Sequence, residues 1–332
     1  MSIKSNTKKI ITVLGAGNMG TAVAQVLADN GHEVRIWNWE GDLLPLKQIE
    51  KFGENKKYLK GVKLSKNIKP TTDLEQALKS SKFIFEVVPV SFLRSVLEEA
   101  KPFVTQEHRW CLLSKGIEQN TLMFSKDIID DVLGFNANKV VLSGPNCASG
   151  LAAKKMTATI LAGDRDDIDS IKNILQNSYF KIYTDDDIVG VQVCGALKNA
   201  VALLVGLAEG VGLGMNAKAW LATKGLREIS DLSVALGGKR ETAFGLAGFG
   251  DLILSIMPTG RNFQLGKVIG EGASIEEAKQ TIQGSLEGIN TTKSLYELIK
   301  KMNLNLPLCE GLHDVLFNGK SVSSLLSDIC RV

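Results

Sequence analysis

Apolar positions first gather at Ile10-Ile11-Thr12-Val13-Leu14, a run of strand length that stops at glycine. It gives way to Thr21-Ala22-Val23-Ala24-Gln25-Val26-Leu27-Ala28, whose pattern is helical. Asn30-Gly31 ends that helix, because glycine takes the left-handed C-terminal position cheaply. Glu33-Val34-Arg35-Ile36-Trp37 then reads as a second strand. Thr72-Asp73-Leu74-Glu75 is a capping-box start for a short helix. Phe83-Ile84-Phe85-Glu86-Val87-Val88 is a nearly continuous apolar strand closed by Pro89, and Ser91 to Ala100 is helical by period. Trp110-Cys111-Leu112-Leu113-Ser114 and Val140-Val141-Leu142-Ser143 are further buried strands. Strands alternating with helical segments predict an α/β fold, a parallel doubly wound sheet over about 190 residues. From Val189 onward the period stays helical, glycines are frequent and no convincing strand follows.

The break after Leu14 is Gly15-Ala16-Gly17-Asn18-Met19-Gly20, a G-x-G-x-x-G between a strand and a helix. In that context it is the dinucleotide fingerprint. Gly15 permits the tight turn, Gly17 lets backbone approach the phosphates, and Gly20 lets helix pack on strand. The unpaired amides of the helix start supply an anion site. The expected organisation is therefore a dinucleotide-binding Rossmann domain over residues 1–189 and an all-helical C-terminal domain, carrying substrate and catalysis, over 190–332. The active site is expected in the cleft between them.

With 332 residues, 23% charged and 44% hydrophobic, the chain has an ordinary globular composition. A net charge of +3 gives no case for nucleic acid. Cys111, Cys147, Cys194, Cys309 and Cys330 lack C-x-x-C spacing and mostly sit on apolar segments, which fits reduced thiols and a cytoplasmic location. His32, His108 and His313 are scattered, so no metal site is expected. The polar lead-in Met1 to Lys9 is not expected to be a signal sequence, and the longest uncharged apolar run, Ala200 to Ala208, is too short for an integral membrane segment.

Candidate chemistry lies at the ends of strands and in the helical half. On a helix, Lys198 has Cys194, Gly195, Val201 and Ala202 as neighbours, all small or apolar. Desolvation there would lower its pKa towards the range useful for proton transfer. A lysine snorkelling to the surface fits the same spacing equally well. Asn199 beside it adds a second polar group and favours the functional reading. Lys115, directly after a buried strand, is placed to meet substrate or cofactor anions, with a surface loop lysine as the plainer alternative. Gly144-Pro145-Asn146-Cys147-Ala148 closes a later strand with a rigid turn. Asp251 leaves a glycine-dense bend, where it would either cap a helix or orient Lys198. Arg261, in Thr259-Gly260-Arg261-Asn262, offers a fork for phosphate or a surface charge.

Over essentially its whole length the chain resembles the bacterial NAD(P)-dependent glycerol-3-phosphate dehydrogenases. The resemblance rests on the fingerprint, Val88-Pro89, Ser114-Lys115-Gly116-Ile117, Ser143-Gly144-Pro145-Asn146, Leu197-Lys198-Asn199, Gly248-Phe249-Gly250-Asp251-Leu252, Gly260-Arg261-Asn262 and Glu287-Gly288. It implies reversible reduction of dihydroxyacetone phosphate to sn-glycerol 3-phosphate, the phospholipid backbone precursor. It makes Lys198 the proton donor and acceptor. It places Lys115, Gly144, Asn146, Asp251, Gly260, Arg261 and Asn262 at the substrate, with Arg261 and Asn262 holding its phosphate. It places Asn18, Met19, Trp39, Lys115, Ala148, Arg261, Ser285 and Glu287 at the cofactor, where Pro89, closing a strand, is expected as well. Asn146 and Gly260 depart from a more usual serine or threonine, and Asn18-Met19 from a serine–aromatic pair.

For the cofactor, the resemblance implies NADP, whereas Glu40 after the second strand suits a ribose 2′-hydroxyl and hence NAD. Trp39 stands where the family often has a basic residue, and its indole offers a face for adenine. Both cofactors are expected to bind. Rival two-domain reductases, of the hydroxyacyl-CoA, ketopantoate or 6-phosphogluconate type, would not need Gly260-Arg261-Asn262 beside Gly250-Asp251. A nicotinamide sensor without turnover would not need Lys198. A homodimer is the default for such an enzyme.

Overall fold

The computed structural model describes residues 8–282 and 287–330. Its strands are β1 (Ile10–Leu14), β2 (Glu33–Trp37), β3 (Ile68–Thr71), β4 (Phe83–Glu86), β5 (Arg109–Leu112), β6 (Asn138–Ser143), β7 (Thr157–Gly163) and β8 (Phe180–Asp185). They form one eight-stranded sheet in the order β3-β2-β1-β4-β5-β6-β7-β8. Between them run α1 (Asn18–Asp29), α2 (Leu44–Phe52), α3 (Leu74–Leu78), α4 (Val90–Ala100), α5 (Ser125–Leu133), α6 (Ala148–Ala152) and α7 (Arg165–Leu175). Strand order turns back at β1, which pairs in parallel with β2 on one side and β4 on the other. Ligands of open α/β sheets bind beyond the strand ends at such a switch point. The core of this unit includes Ile11, Val13, Val34, Ile36, Phe85, Cys111, Val140 and Leu161, from five adjacent strands and β7.

Two details differ from the sequence pattern. The sheet is mixed, because β7 runs antiparallel to β6, with Val140 opposite Gly163. The link between them, residues 144–156, holds only the five-residue α6. Alternating periodicity reports connectivity and says nothing about strand direction. The short helix α3 is capped by Asp73, whose carboxylate accepts the Gln76 amide at 3.0 Å. Thr72 is occupied elsewhere, its carbonyl accepting the Trp37 indole N–H at 2.8 Å.

After β8 the described residues are helical: α8 (Ile188–Gly210), α9 (Met215–Ala235), α10 (Asp251–Ser255), α11 (Arg261–Gly270), α12 (Ile275–Thr281), α13 (Glu287–Met302), α14 (Pro307–Phe317) and α15 (Val322–Cys330). Two compact units result, one holding residues up to 114 and 125–188, the other 115–124 and 189 onward. Helix α8 is long and apolar enough to cross a membrane, but it is a core helix, mostly buried by the protein itself. Glycines let it pack closely: a Cβ on Gly206 would stand 2.0 Å from the Phe263 carbonyl of α11.

Candidate functional site

The glycine loop is held from both flanking strands. The Gly15 amide donates to the Trp37 carbonyl at 2.9 Å, and the Ala16 amide donates to Asn38 Oδ1 at 3.1 Å. Asn55 Nδ2 donates to the Ala16 carbonyl at 2.9 Å and to Thr21 Oγ1 at 2.8 Å. Gly15 has φ +107°, and a Cβ there would press on the Val87 carbonyl at 2.7 Å, while one on Gly20 would meet the Gly15 oxygen at 1.9 Å. Gly17 differs: a Cβ there would meet nothing within 4 Å. Its hydrogen thus faces open space at the start of α1, where no side chain caps the first amides. Asn18 and Met19 open the helix, half-buried. Asn38, Asn55 and Thr21 escaped the sequence analysis. Their signal was polarity on buried elements, which marks a satisfied network without saying what it holds.

The second unit builds a charged cluster around Asp251. Residues Leu246–Gly250 form a π-helical turn that feeds directly into α10, a wide turn of the kind common at functional sites. Asp251 is 1% exposed. Its Oδ1 accepts Lys198 Nζ at 2.7 Å and its Oδ2 accepts Lys115 Nζ at 2.6 Å. Lys198 Nζ also donates to Ser255 Oγ at 2.7 Å, and that hydroxyl donates to the Asp251 carbonyl at 2.7 Å. Ser255 was missed in the sequence, although a residue four after Asp251 on a helix shares its face.

Burial opposes charge on Asp251, but the Lys115 and Lys198 ammoniums outweigh it and hold the carboxyl below the usual carboxylate range. For Lys198, burial pushes the pKa down to about 8; Asp251 works against this, while the charges of Lys115 and Arg261 add to it. Two of its three N–H groups are used, leaving one without a protein acceptor among the described residues. Two lysines share one carboxylate, so the cluster carries excess positive charge.

Asn199 and Asn262 adjoin this cluster. Asn262 Nδ2 donates to Asn199 Oδ1 at 3.0 Å, and Asn262 Oδ1 accepts the Gly288 amide at 3.2 Å. These bonds fix both amides and leave the Asn199 NH2 without an acceptor among the described residues. Gly288 allows this approach, since a Cβ there would stand 2.5 Å from Asn262 Oδ1. Arg261 is exposed at the start of α11, after Gly260, and carries no ion pair or hydrogen bond among the described residues. Glu287 opens α13, while Ser285 lies outside the described residues.

The remaining expected residues belong to the sheet unit. Gly144 (φ +134°) follows β6, and Asn146, 4% exposed, turns its Nδ2 to Thr159 Oγ1 at 3.1 Å. One N–H of its amide is thus committed inside the protein. Ala148 opens α6 and packs on the core, and Pro89 precedes α4. Trp39 is 61% exposed and its ring covers Gly41. Glu40 is exposed and unpaired among the described residues, whereas Asp42 is engaged by Lys57 at 2.8 Å and Tyr58 at 2.9 Å.

Comparison with known proteins gives this geometry a lineage. Residues 10–169 match the N-terminal model of the NAD-dependent glycerol-3-phosphate dehydrogenases, and residues 187–327 match its C-terminal model. The chain belongs to this family. It is an NAD(P)-type glycerol-3-phosphate dehydrogenase, an oxidoreductase. The glycerol-3-phosphate dehydrogenase [NAD(P)+] of Bacillus cereus (strain G9842) is 41% identical over 323 residues, 96% of this chain and 94% of that one. That of Bacillus subtilis (strain 168) is 40% identical over 326 residues, 97% of this chain and 94% of that one. The crystal structure of glycerol-3-phosphate dehydrogenase from Coxiella burnetii has a TM-score of 0.93 at 33% identity, covering 98% of this chain and 99% of that one. The glycine loop fits the family's dinucleotide: backbone lies open at Gly17, and Gly15 and Gly20 are sterically required.

Proposed function

We propose that the chain catalyses reversible, NAD(P)H-dependent reduction of dihydroxyacetone phosphate to sn-glycerol 3-phosphate, with Lys198 as proton donor and acceptor. The observation that carries this reading is the buried Lys198 ammonium, held by Asp251 and Ser255 with one N–H unspent. A cation whose pKa lies near 8 can give up a proton close to neutral pH. In the reductive direction Lys198 donates to the alkoxide forming at C2, and in the oxidative direction it recovers that proton. Bound nicotinamide supplies or accepts the hydride. Asp251 orients the ammonium, and the excess positive charge of the cluster stabilises the developing oxyanion.

Arg261 and the Asn199 amide, donors without protein acceptors among the described residues, suit a phosphorylated substrate, with Asn262 and Lys115 completing the clamp. Gly144 and Gly260 can offer only backbone, and Asn146 has one amide N–H committed to Thr159. For the cofactor, the unpaired Glu40 carboxylate favours a ribose 2′-hydroxyl and repels a 2′-phosphate, so NADH is preferred while NADPH still binds. Trp39 offers its indole face to adenine.

The reading is tested by following oxidation of NADH with dihydroxyacetone phosphate and with unphosphorylated dihydroxyacetone. Turnover of the phosphate ester alone supports the substrate and the clamp. Equal turnover of both removes the clamp, and turnover of neither removes the substrate.

A further inference from the structure

Glu86 is the last residue of β4 and is completely buried. Its strand neighbours are Leu14 on β1 and Leu112 on β5. Among the described residues it has no ion pair. The Val88 amide donates to Oε1 at 2.7 Å, the Ser114 hydroxyl donates to the same oxygen, and the Ser114 amide reaches Oε2 at 3.4 Å. The Ser114 hydroxyl also lies within reach of the Val88 carbonyl. Among the described residues the titratable group that senses its charge is the Cys111 thiol, which pairs with Phe85 and so lies on the other face of the sheet; burial and then the Glu86 charge push it well up, so it stays neutral. A carboxyl in this setting costs stability compared with the apolar residues before it, and the mechanism above does not use it.

Its position gives it consequence. Val87 donates its amide to the Leu14 carbonyl at 2.9 Å, and the Val87 carbonyl packs where a Gly15 side chain would be. The turn that Glu86 clasps through Val88 is therefore one wall of the glycine loop. Ser114 is the last residue of the sheet unit before the chain passes to Lys115.

We propose that Glu86 is a positioning residue. Its ionised carboxylate clasps Val88 and Ser114, fixing the turn against the glycine loop and the peptide that leads to Lys115, so that cofactor and substrate bind best while it is ionised. The Lys115 half rests on the function proposed above, and the glycine-loop half does not. Burial raises this carboxyl to about 7, against the lowering effect of Ser114 and of the Val88, Ser114 and Leu113 amides. As pH falls through that value, Glu86 gains a proton and one oxygen becomes a donor. Oε2 takes the proton, because Oε1 already accepts from Val88 and the Ser114 hydroxyl; the new donor then faces the Ser114 amide, so that contact is lost and the two bonds on Oε1 lose their charge assistance.

The test compares the wild type with Glu86→Gln, which keeps the shape and one acceptor oxygen but cannot titrate. NADH affinity is read by fluorescence, and KM for dihydroxyacetone phosphate in parallel, between about pH 8 and about pH 6. The wild type should lose up to about tenfold in NADH affinity over this range, as a single titrating group requires, and Glu86→Gln should not. The substrate phosphate titrates in both proteins and cancels in the ratio of their KM values. An infrared carboxyl band that appears at low pH in the wild type and is missing from Glu86→Gln would identify the group. Superimposable pH profiles for NADH affinity would overturn the proposal. Absence of turnover with the pH-dependent affinity intact would instead overturn the function. Should Glu86→Gln fail to fold, Ser114→Ala carries the test. It removes a bond that favours the ionised form, so the affinity midpoint should move to higher pH, and an unmoved midpoint would overturn the proposal.

Discussion

At the scale of single residues, the account turns on what surrounds a charge. Sequence spacing left Lys198 open between buried base and snorkelling cation; the carboxylate that holds its ammonium inside the protein, Asp251, lies 53 positions away. Asp251 and Arg261 were legible as chemistry-bearing types, but their partners were not. Ser255 and the Asn199–Asn262 pair appear only once α8, α10, α11 and α13 are packed. The Lys198 pKa sets a direction for pH. In the reductive direction kcat/KM should fall as pH rises through about 8, where the ammonium is lost. In the oxidative direction it should rise through the same region, because there the neutral amine is needed. Profiles measured in both directions check this, and parallel limbs of the same sign would exclude Lys198 as the shared group. Glu40 makes a separate prediction. Glu40→Arg should reverse the cofactor preference, raising NADPH affinity about tenfold or more relative to NADH, as replacing charge repulsion by a bidentate clamp on the 2′-phosphate requires. Competitive titration of the two cofactors reads this directly.

Among the elements, β1 and α1 were the most legible, because the glycine loop is local and Gly15 and Gly20 answer to backbone within a few residues or beside the next strand. The structure separates their roles. Gly20→Ala should destabilise the fold, since its Cβ would collide with the Gly15 carbonyl. Gly17→Val should leave thermal stability nearly unchanged while weakening cofactor binding, because its side chain would occupy only the open space. Melting curves with and without NADH distinguish the two, and a Gly17→Val protein that binds normally would move the phosphate site elsewhere. The reversal of β7 was not legible, since direction depends on how a chain returns to its sheet. Nor was the role of Glu228, whose carboxylate accepts the Leu308 and Cys309 amides at 2.7 and 2.9 Å at the start of α14. Eighty positions separate these partners, and no local pattern links them.

For the whole molecule, the change from strand periodicity to helical periodicity near residue 188 marks the end of the sheet, because β8 closes at Asp185 and α8 begins at Ile188. The short passage 115–124 belongs with the helical unit, which no composition shift announces. Fold and family were readable because they rest on motifs in fixed order. The bonds among the expected site residues were not readable.

The most direct test of the account is one preparation of Lys198→Ala, measured for reduction of dihydroxyacetone phosphate and for NADH binding. The account predicts a loss of at least about 10²-fold in kcat, the usual scale for removing a general acid, with NADH affinity within about threefold of the wild type, because Lys198 lies outside the unit that carries the glycine loop. Turnover close to the wild type, in a variant that binds NADH normally, would contradict it.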